Sequence, residues 1–433
     1  MSQAPVITRE RVEDFLDLLR GGVRPADSMG LVDLIAGLED VKSAVCAAQA
    51  EASVAFDAVR RAEQAAAGVP SHRQGRGIAA EVALARKEAP ARGQVLLGLG
   101  KVLTAELRHT LARLRDGSLN EFRATLIARE TACLEVEHRI AIDEAVCADP
   151  AKLVGVGTRE LIGRVKRLAA ELDPAALARR ARQAEADRRV SVRPAPDTMT
   201  YLTALLPVGQ GVGVFACLGV AADRMRAGGD PRSKAQLMAD LLVARITGQD
   251  LDTTTEPPAV PVAVNITVPA TTLAGGHDAA MIAAPGLAAE TLPAEVARLL
   301  LANALDAGVA AWFRQVYVNP KGRLIAMSSK QRHFPPALAD FLAIRGQGIC
   351  ASPWCDAPIR HSDHIQPATE RGPTTDPNGQ GLCEACNHAK QADGWQQHVI
   401  SAEDERQQVE TITPTGHRYR STAPPPPGWR ESA

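Results

Sequence analysis

Four cysteines near the C-terminal end fall into two pairs at ligand spacing, Cys350/Cys355 and Cys383/Cys386. Between the pairs stands the dipeptide Asp363-His364, and Asn387 directly follows the last cysteine. Four thiolates suit a closed tetrahedral zinc site. A carboxylate, an imidazole and an amide suit a hard divalent cation and an activated water. The first set reads as scaffold, the second as chemistry.

Cys-x4-Cys and Cys-x2-Cys, 27 residues apart, place two knuckles at the ends of a loop, each able to give two sulfurs to one ion. The segment has few large apolar residues, chiefly Trp354, Ile359, Ile365, Leu382 and Trp395. So small a core does not close a fold unaided, whereas structural zinc contributes on the order of 10–16 kcal/mol in apparent binding. Disulfides are the competing reading, and no secretory signal is expected, because the start MSQAPVITRERVEDFLDLLRGG carries charges where an apolar core would lie. The other four, Cys46, Cys133, Cys147 and Cys217, lie singly in helical patterns. The longest apolar run, 211–222, is too short to span a bilayer, so no membrane partner and a cytoplasmic location are expected.

A 433-residue chain has room for two or three domains, and 45% hydrophobic with 3% aromatic residues describes an Ala/Leu/Val-rich, mostly helical protein. A formal charge of −1 gives no global attraction to nucleic acid. Local patches must supply any such contact. Residues 159–193 hold ten Lys/Arg against five Asp/Glu, net +5, which reads either as a solvated helix face or as a phosphate-contacting surface. Residues 330–433 hold ten against twelve, net −2.

The pattern predicts a long helix over 31–67 capped by Ser28, about 55 Å at roughly 1.5 Å per residue. Further helices are expected over 78–88, 94–115, from a capping box at Ser118 to Asp149, and from Asp173-Pro174 onward. Helices are also expected over 199–207, 212–226 and 234–247. A Pro/Thr-rich connector covers 251–261 and VAVNITV at 262–268 reads as a strand. A helix follows over 293–307, then a hairpin over 312–327 turning at 319–322 and a helix over 336–345. GQGVGVF from Gly209 matches no phosphate-loop spacing. After Lys390 a strand pair turning at Pro414-Thr415-Gly416 leads to a polyproline tail. The expected domains are 1–250, helical; 251–336, an α+β extension; 337–399, the cysteine module; and 400–433, a hairpin and Pro-rich tail.

Taken together, Cys-x4-Cys, Asp-His, a Gly-Pro-Thr-rich loop to Asn378 and Leu-Cys-x2-Cys-Asn-x2-Lys resemble the HNH endonuclease family. The resemblance implies a mainly α N-terminal domain followed by a small α+β ββα-metal (HNH) module stabilised by a four-cysteine zinc site. It implies hydrolysis of phosphodiester bonds in DNA. His364 would be the general base, Asp363 and Asn387 the ligands of a catalytic Mg²⁺ or Mn²⁺, and Asn378 the middle asparagine of the motif. His388 competes with Asn387 for the last position. Asn378 is expected to tie the loop to the strand, and a backbone carbonyl to fix the tautomer of His364. Lys390 and Arg345 are candidate phosphate contacts against a solvated role, and His361 a further metal or substrate candidate. The helical region, with DGSLNEFRATLIARETACLE, LMADLLVARITG and VAVNITVP, resembles the domain of unknown function numbered 222. The alternatives are a non-catalytic zinc-stabilised DNA-binding or regulatory protein, or a helical interaction protein carrying a relic of the module.

Overall fold

The computed structural model describes residues 6–24, 27–197, 199–248, 265–283, 289–306, 317–319, 321, 323–325 and 333–429. The connector expected at 251–261 lies outside them, as do residues 312–316 and parts of the turn at 319–322. Two compact units form. One joins Met1–Ala55 to Leu99–Leu177, the other Phe56–Gly98 to Ala178–Ala433.

The first nine helices are α1 (Arg9–Arg20), α2 (Ser28–Ala66), α3 (Ile78–Ala85), α4 (Pro90–Ala105), α5 (Arg108–Arg115), α6 (Glu121–Thr131), α7 (Val136–Cys147), α8 (Thr158–Leu172) and α9 (Pro174–Ala186). Three local details differ from expectation. Ser28 is already helical, and Asp27 caps α2 by accepting from Gly30 N at 2.8 Å. Asn120, rather than Ser118, caps α6 through Arg123 N at 3.0 Å. The helices expected over 94–115 and 118–149 each break in two.

In the first unit, Leu103, Leu107, Leu114, Leu119, Ile127, Ile142 and Leu161 form a fully buried apolar core. Buried Asp143 on α7 caps α5 from outside, accepting from His109 N (2.7 Å), Thr110 N (2.9 Å) and the Thr110 hydroxyl (2.6 Å). One carboxylate thereby satisfies two of the amides a helix start leaves unpaired.

The second unit continues with a hairpin of β1 (Arg189–Ala195) and β2 (Met199–Leu205). Residues 199–205 were expected to be helical. Their apolar spacing is ambiguous, but no residue of β2 is buried, so cross-strand pairs rather than a core decide its conformation. One such pair lays Arg193 over the Tyr201 ring at 3.9 Å. The helical hairpin α10 (Val208–Ala227) and α11 (Lys234–Thr247) follows. Next come the sheet β3 (Asn265–Thr267), β4 (Ala280–Ala283) and β5 (Glu290–Leu292) with α12 (Ala270–Leu273), then α13 (Ala294–Asp306) and a short pair, β6 (Tyr317–Val318) and β7 (Leu324–Ile325).

The cysteine module begins after α14 (Pro336–Arg345). It pairs β8 (His361–His364) with β9 (Gly379–Leu382) antiparallel, and β9 runs straight into α15 (Glu384–Lys390). A small core of Leu324, Leu338, Phe341 and Leu342, with Phe334 against it, backs the hairpin. Glycine at two β9 positions lets this support come close. A Cβ at 379 would meet Leu342 and Phe334 at 2.8 Å, and one at 381 would collide with Ile359. The three-stranded antiparallel sheet β10 (Gln396–Val399), β11 (Gln408–Ile412), β12 (Arg418–Thr422) completes the chain. Its last turn, expected at 414–416, donates from Thr415 Oγ1 to Glu81 Oε2 on α3 at 2.9 Å, and Arg73 pairs with Asp393 at 3.0 Å. Residues 56–98 thus belong with the C-terminal module, a grouping that no composition shift announces.

Candidate metal centre and the Asp-His hairpin

Cys350, Cys355, Cys383 and Cys386 are all buried, and their four Sγ atoms lie within 4.8 Å of one another. The Cys355–Cys383 separation is 3.7 Å. That is far beyond a disulfide bond of about 2.05 Å, yet it matches the roughly 3.8 Å edge of a tetrahedron with Zn–S near 2.3 Å. Local backbone builds both halves. The first knuckle turns through Trp354 at φ 56°, with Cys355 N donating to Ser352 O. In the second, Cys383 is the N-cap of α15 and its sulfur accepts from Cys386 N at 3.4 Å. Cys350 N donates to Ala357 O, and Ala351 N to Gly381 O on β9, so the knuckles are stitched to the hairpin. Hydrogen bonds within the cluster draw the Cys350 and Cys383 thiols below the ordinary range and push Cys355 and Cys386 above it. These four residues fit a structural metal such as zinc. Cys147, by contrast, is a lone buried thiol pushed up to about 11 by burial.

Asp363 and His364, adjacent on β8, present their side chains to different neighbours, as strand geometry requires. Asp363 faces α15 and β9: its Oδ2 accepts from Lys390 Nζ at 2.5 Å and from Gln380 Nε2 at 3.2 Å. No described residue hydrogen-bonds its Oδ1, and the side chain is 19% exposed. His364 Nε2 lies 2.9 Å from Thr374 Oγ1, and its ring centroid 4.5 Å from that of Phe334. The partner of Nε2 is thus a buried threonine hydroxyl, ten residues on in a loop. His364 is the last residue of β8, where the hairpin ends.

Asn378 is spent on backbone. It accepts from Gln366 N (2.8 Å) and donates to Gln366 O (3.1 Å) and Pro373 O (2.8 Å), closing the 366–378 loop. Asn387 is half-buried on α15, its Oδ1 accepting only a long 3.4 Å hydrogen bond from Gln391. His388 and His361 are exposed.

Both candidate phosphate contacts are paired inward rather than solvated. Arg345, 7% exposed, donates to Asp376 Oδ1 (2.5 Å), Asp376 O (2.9 Å) and Gly379 O (2.6 Å), and burial lowers its pKa. Lys390, its side chain 9% exposed, donates to Asp363 Oδ2 and to the carbonyl of His364. The reason is the same for both: a cation whose side chain is largely buried must be paired. Thr374, Gln380 and Phe334 are the residues sequence reasoning missed. Gln380 alone carried a signal, an amide between two glycines on an apolar strand, which must find a partner if buried.

No helix of the described residues is long and apolar enough to cross a membrane. Searches of curated proteins and of solved structures returned no match. Residues 41–346, more than half of the chain, match the family described as Domain of unknown function (DUF222), a stretch that ends four residues before Cys350. The chain belongs to that family.

Proposed function

We propose that the C-terminal module is a divalent-metal-dependent endonuclease acting on DNA phosphodiester bonds. One observation carries the reading: an Asp-His dipeptide lies at the end of a two-stranded hairpin whose second strand feeds directly into a cysteine-capped helix packed on Asp363. This supports a ββα-metal arrangement. His364 takes the role of general base. In the tautomer in which Nε2 donates to Thr374 Oγ1, the basic lone pair is on Nδ1, and Phe334 limits ring rotation. Asp363 and Asn387 both offer hard oxygens, the kind that Mg²⁺ or Mn²⁺ prefers. Lys390 already occupies Oδ2, so Oδ1 is the carboxylate oxygen suited to a dication. When bound, the ion would stabilise charge on the phosphate and the leaving oxygen.

Magnitudes require both parts. A general base supplies about 10²–10⁴-fold, or some 3–5 kcal/mol. Enzymes lower barriers by roughly 8–23 kcal/mol, and phosphate ester hydrolysis needs the upper part of that range. The test is nicking of supercoiled plasmid with Mg²⁺ or Mn²⁺. Wild type should convert it, and His364→Ala should be at least about a hundredfold slower with zinc content unchanged. Equal rates would refute the reading.

The inward cations favour a second reading, a zinc-stabilised DNA-binding or regulatory protein without catalysis, whose phosphate contacts would lie in the basic stretch 159–193. With Arg345 and Lys390 spent internally, residues 330–433, of net charge −2, have fewer groups for phosphate. Salt-dependent DNA binding that survives Asp363→Ala, without cleavage, would select it.

A further inference from the structure

Asp363 is held by a chain of hydrogen bonds that begins in the C-terminal sheet. Thr411 Oγ1 on β11 accepts from Gln397 Nε2 at 3.0 Å. Gln397 Oε1 on β10 accepts from Gln380 Nε2 at 2.6 Å, and the same Gln380 nitrogen donates to Asp363 Oδ2 at 3.2 Å. Gln380, Gln397 and Thr411 are 1%, 8% and 5% exposed. On the other side, Lys390 Nζ grips Asp363 Oδ2 and the His364 carbonyl, so one ammonium spans both residues of the dipeptide.

We infer that Gln380, Gln397, Thr411 and Lys390 are positioning residues that occupy Asp363 Oδ2 from two sides and turn Oδ1 outward as the ligand oxygen. The sheet formed by residues 396–422 is then a working part of the centre rather than a tail. The inference rests on Asp363 holding the divalent ion. Its logic is orientation by outer partners. A lone carboxylate rotates about its last torsion and offers either oxygen, whereas one with an oxygen fixed offers the other in a single direction. Each amide in the chain has a defined sense. Gln397 must present its oxygen to Gln380 and its nitrogen to Thr411, and Thr411 can accept because its hydroxyl is an acceptor as well as a donor.

The test uses the zinc-loaded full chain and Mn²⁺ alone as probe, with affinity read by electron paramagnetic resonance. Gln397→Leu keeps size and removes both hydrogen bonds. It should weaken Mn²⁺ binding about 10–100-fold, the usual effect of losing an outer-shell partner, with zinc content unchanged. Thr411→Val should weaken it in the same direction and Thr411→Ser should restore it, a rescue that mere packing would not give. In zinc-loaded protein without Mn²⁺ the Gln380 side-chain amide protons should exchange slowly in wild type and fast in Gln397→Leu. Fast exchange in wild type would overturn the relay itself. Wild-type Mn²⁺ affinity in Gln397→Leu, where Asp363→Asn has lost it, would overturn the positioning role while sparing the metal assignment. Unchanged affinity in Asp363→Asn would sink the metal assignment, and the inference with it.

Discussion

Replacing Arg345 by methionine separates a structural role from a substrate-binding one. The guanidinium donates three hydrogen bonds into the loop before β9, two of them to carbonyls of Asp376 and Gly379. Asp376, its side chain 4% exposed, would keep only Arg323, at 2.7 Å from Oδ2. Breaking one partner of a buried pair costs about 3–5 kcal/mol. The surviving Arg323 pulls the cost toward the lower end, and so do the two carbonyls, since Asp376 O keeps the Gly379 amide and Gly379 O keeps Gln407 Nε2. A loss of about 3–5 kcal/mol corresponds to an opening constant larger by roughly a hundredfold to several thousandfold, since each 1.4 kcal/mol is a factor of ten. With two compact units one melting curve will not report this, so hydrogen exchange of residues 337–399 in the zinc-loaded chain is the assay. Adding Asp376→Leu should return at least about 1 kcal/mol, because the stranded charge goes with it. If Arg345→Met leaves protection within about tenfold of wild type and lowers the salt slope of DNA binding by about one, the arginine faces phosphate and the reasoning fails.

Cys383→Ser should release zinc and expose the module to protease, because only a small core remains to hold it, and undiminished zinc by elemental analysis would refute the assignment. Thr374→Val should keep zinc and exchange protection yet slow nicking about 10–100-fold by releasing the tautomer of His364, and an unchanged pH–rate profile would count against that. Asp143→Ala should destabilise the first unit by about 2 kcal/mol or more, read by urea unfolding, while the amides of α5 lose their cap and zinc content stays constant.

What could be read from the sequence was what is encoded locally. The cysteine pairs sit at ligand spacing, α14 lies where a helix over 336–345 was expected, and the turn at 414–416 has the residues such turns use, whereas α15 was expected from the resemblance alone. What could not be read depends on register and loop closure. Thr374 reaches His364 across the loop that the Asn378 amide closes, and Thr411 comes opposite Gln397 through the pairing of β10 with β11. Arg345 looked like a free cation because nothing near it in the chain announces Asp376, thirty-one residues on. Residues 199–205 satisfied a helical spacing equally well, and only the partner strand at 189–195 decides for β.

The inward turn of the cations has a common cause, and it bears on how the module meets a polyanion. The hairpin and loop between the knuckles bury little apolar area: Ile365 and Leu382 are the fully enclosed large side chains among the described residues of 350–390. Shape must then come from directed polar contacts, sulfur at one end, Arg345 and Arg323 on Asp376 at the other, and Lys390 on the dipeptide between them. A group used in this way is unavailable to substrate, so the fold consumes the charge that DNA binding would draw on. On the proposed DNA-cleaving reading, affinity for a backbone of phosphates would come from elsewhere in the chain, and the +5 stretch at 159–193 is the reserve that composition offers. Charge reversal of the exposed Arg159, Arg182 and Arg188 should then cut the salt slope of DNA binding by about three with zinc content unchanged. A slope that does not move would return the burden of binding to the module itself.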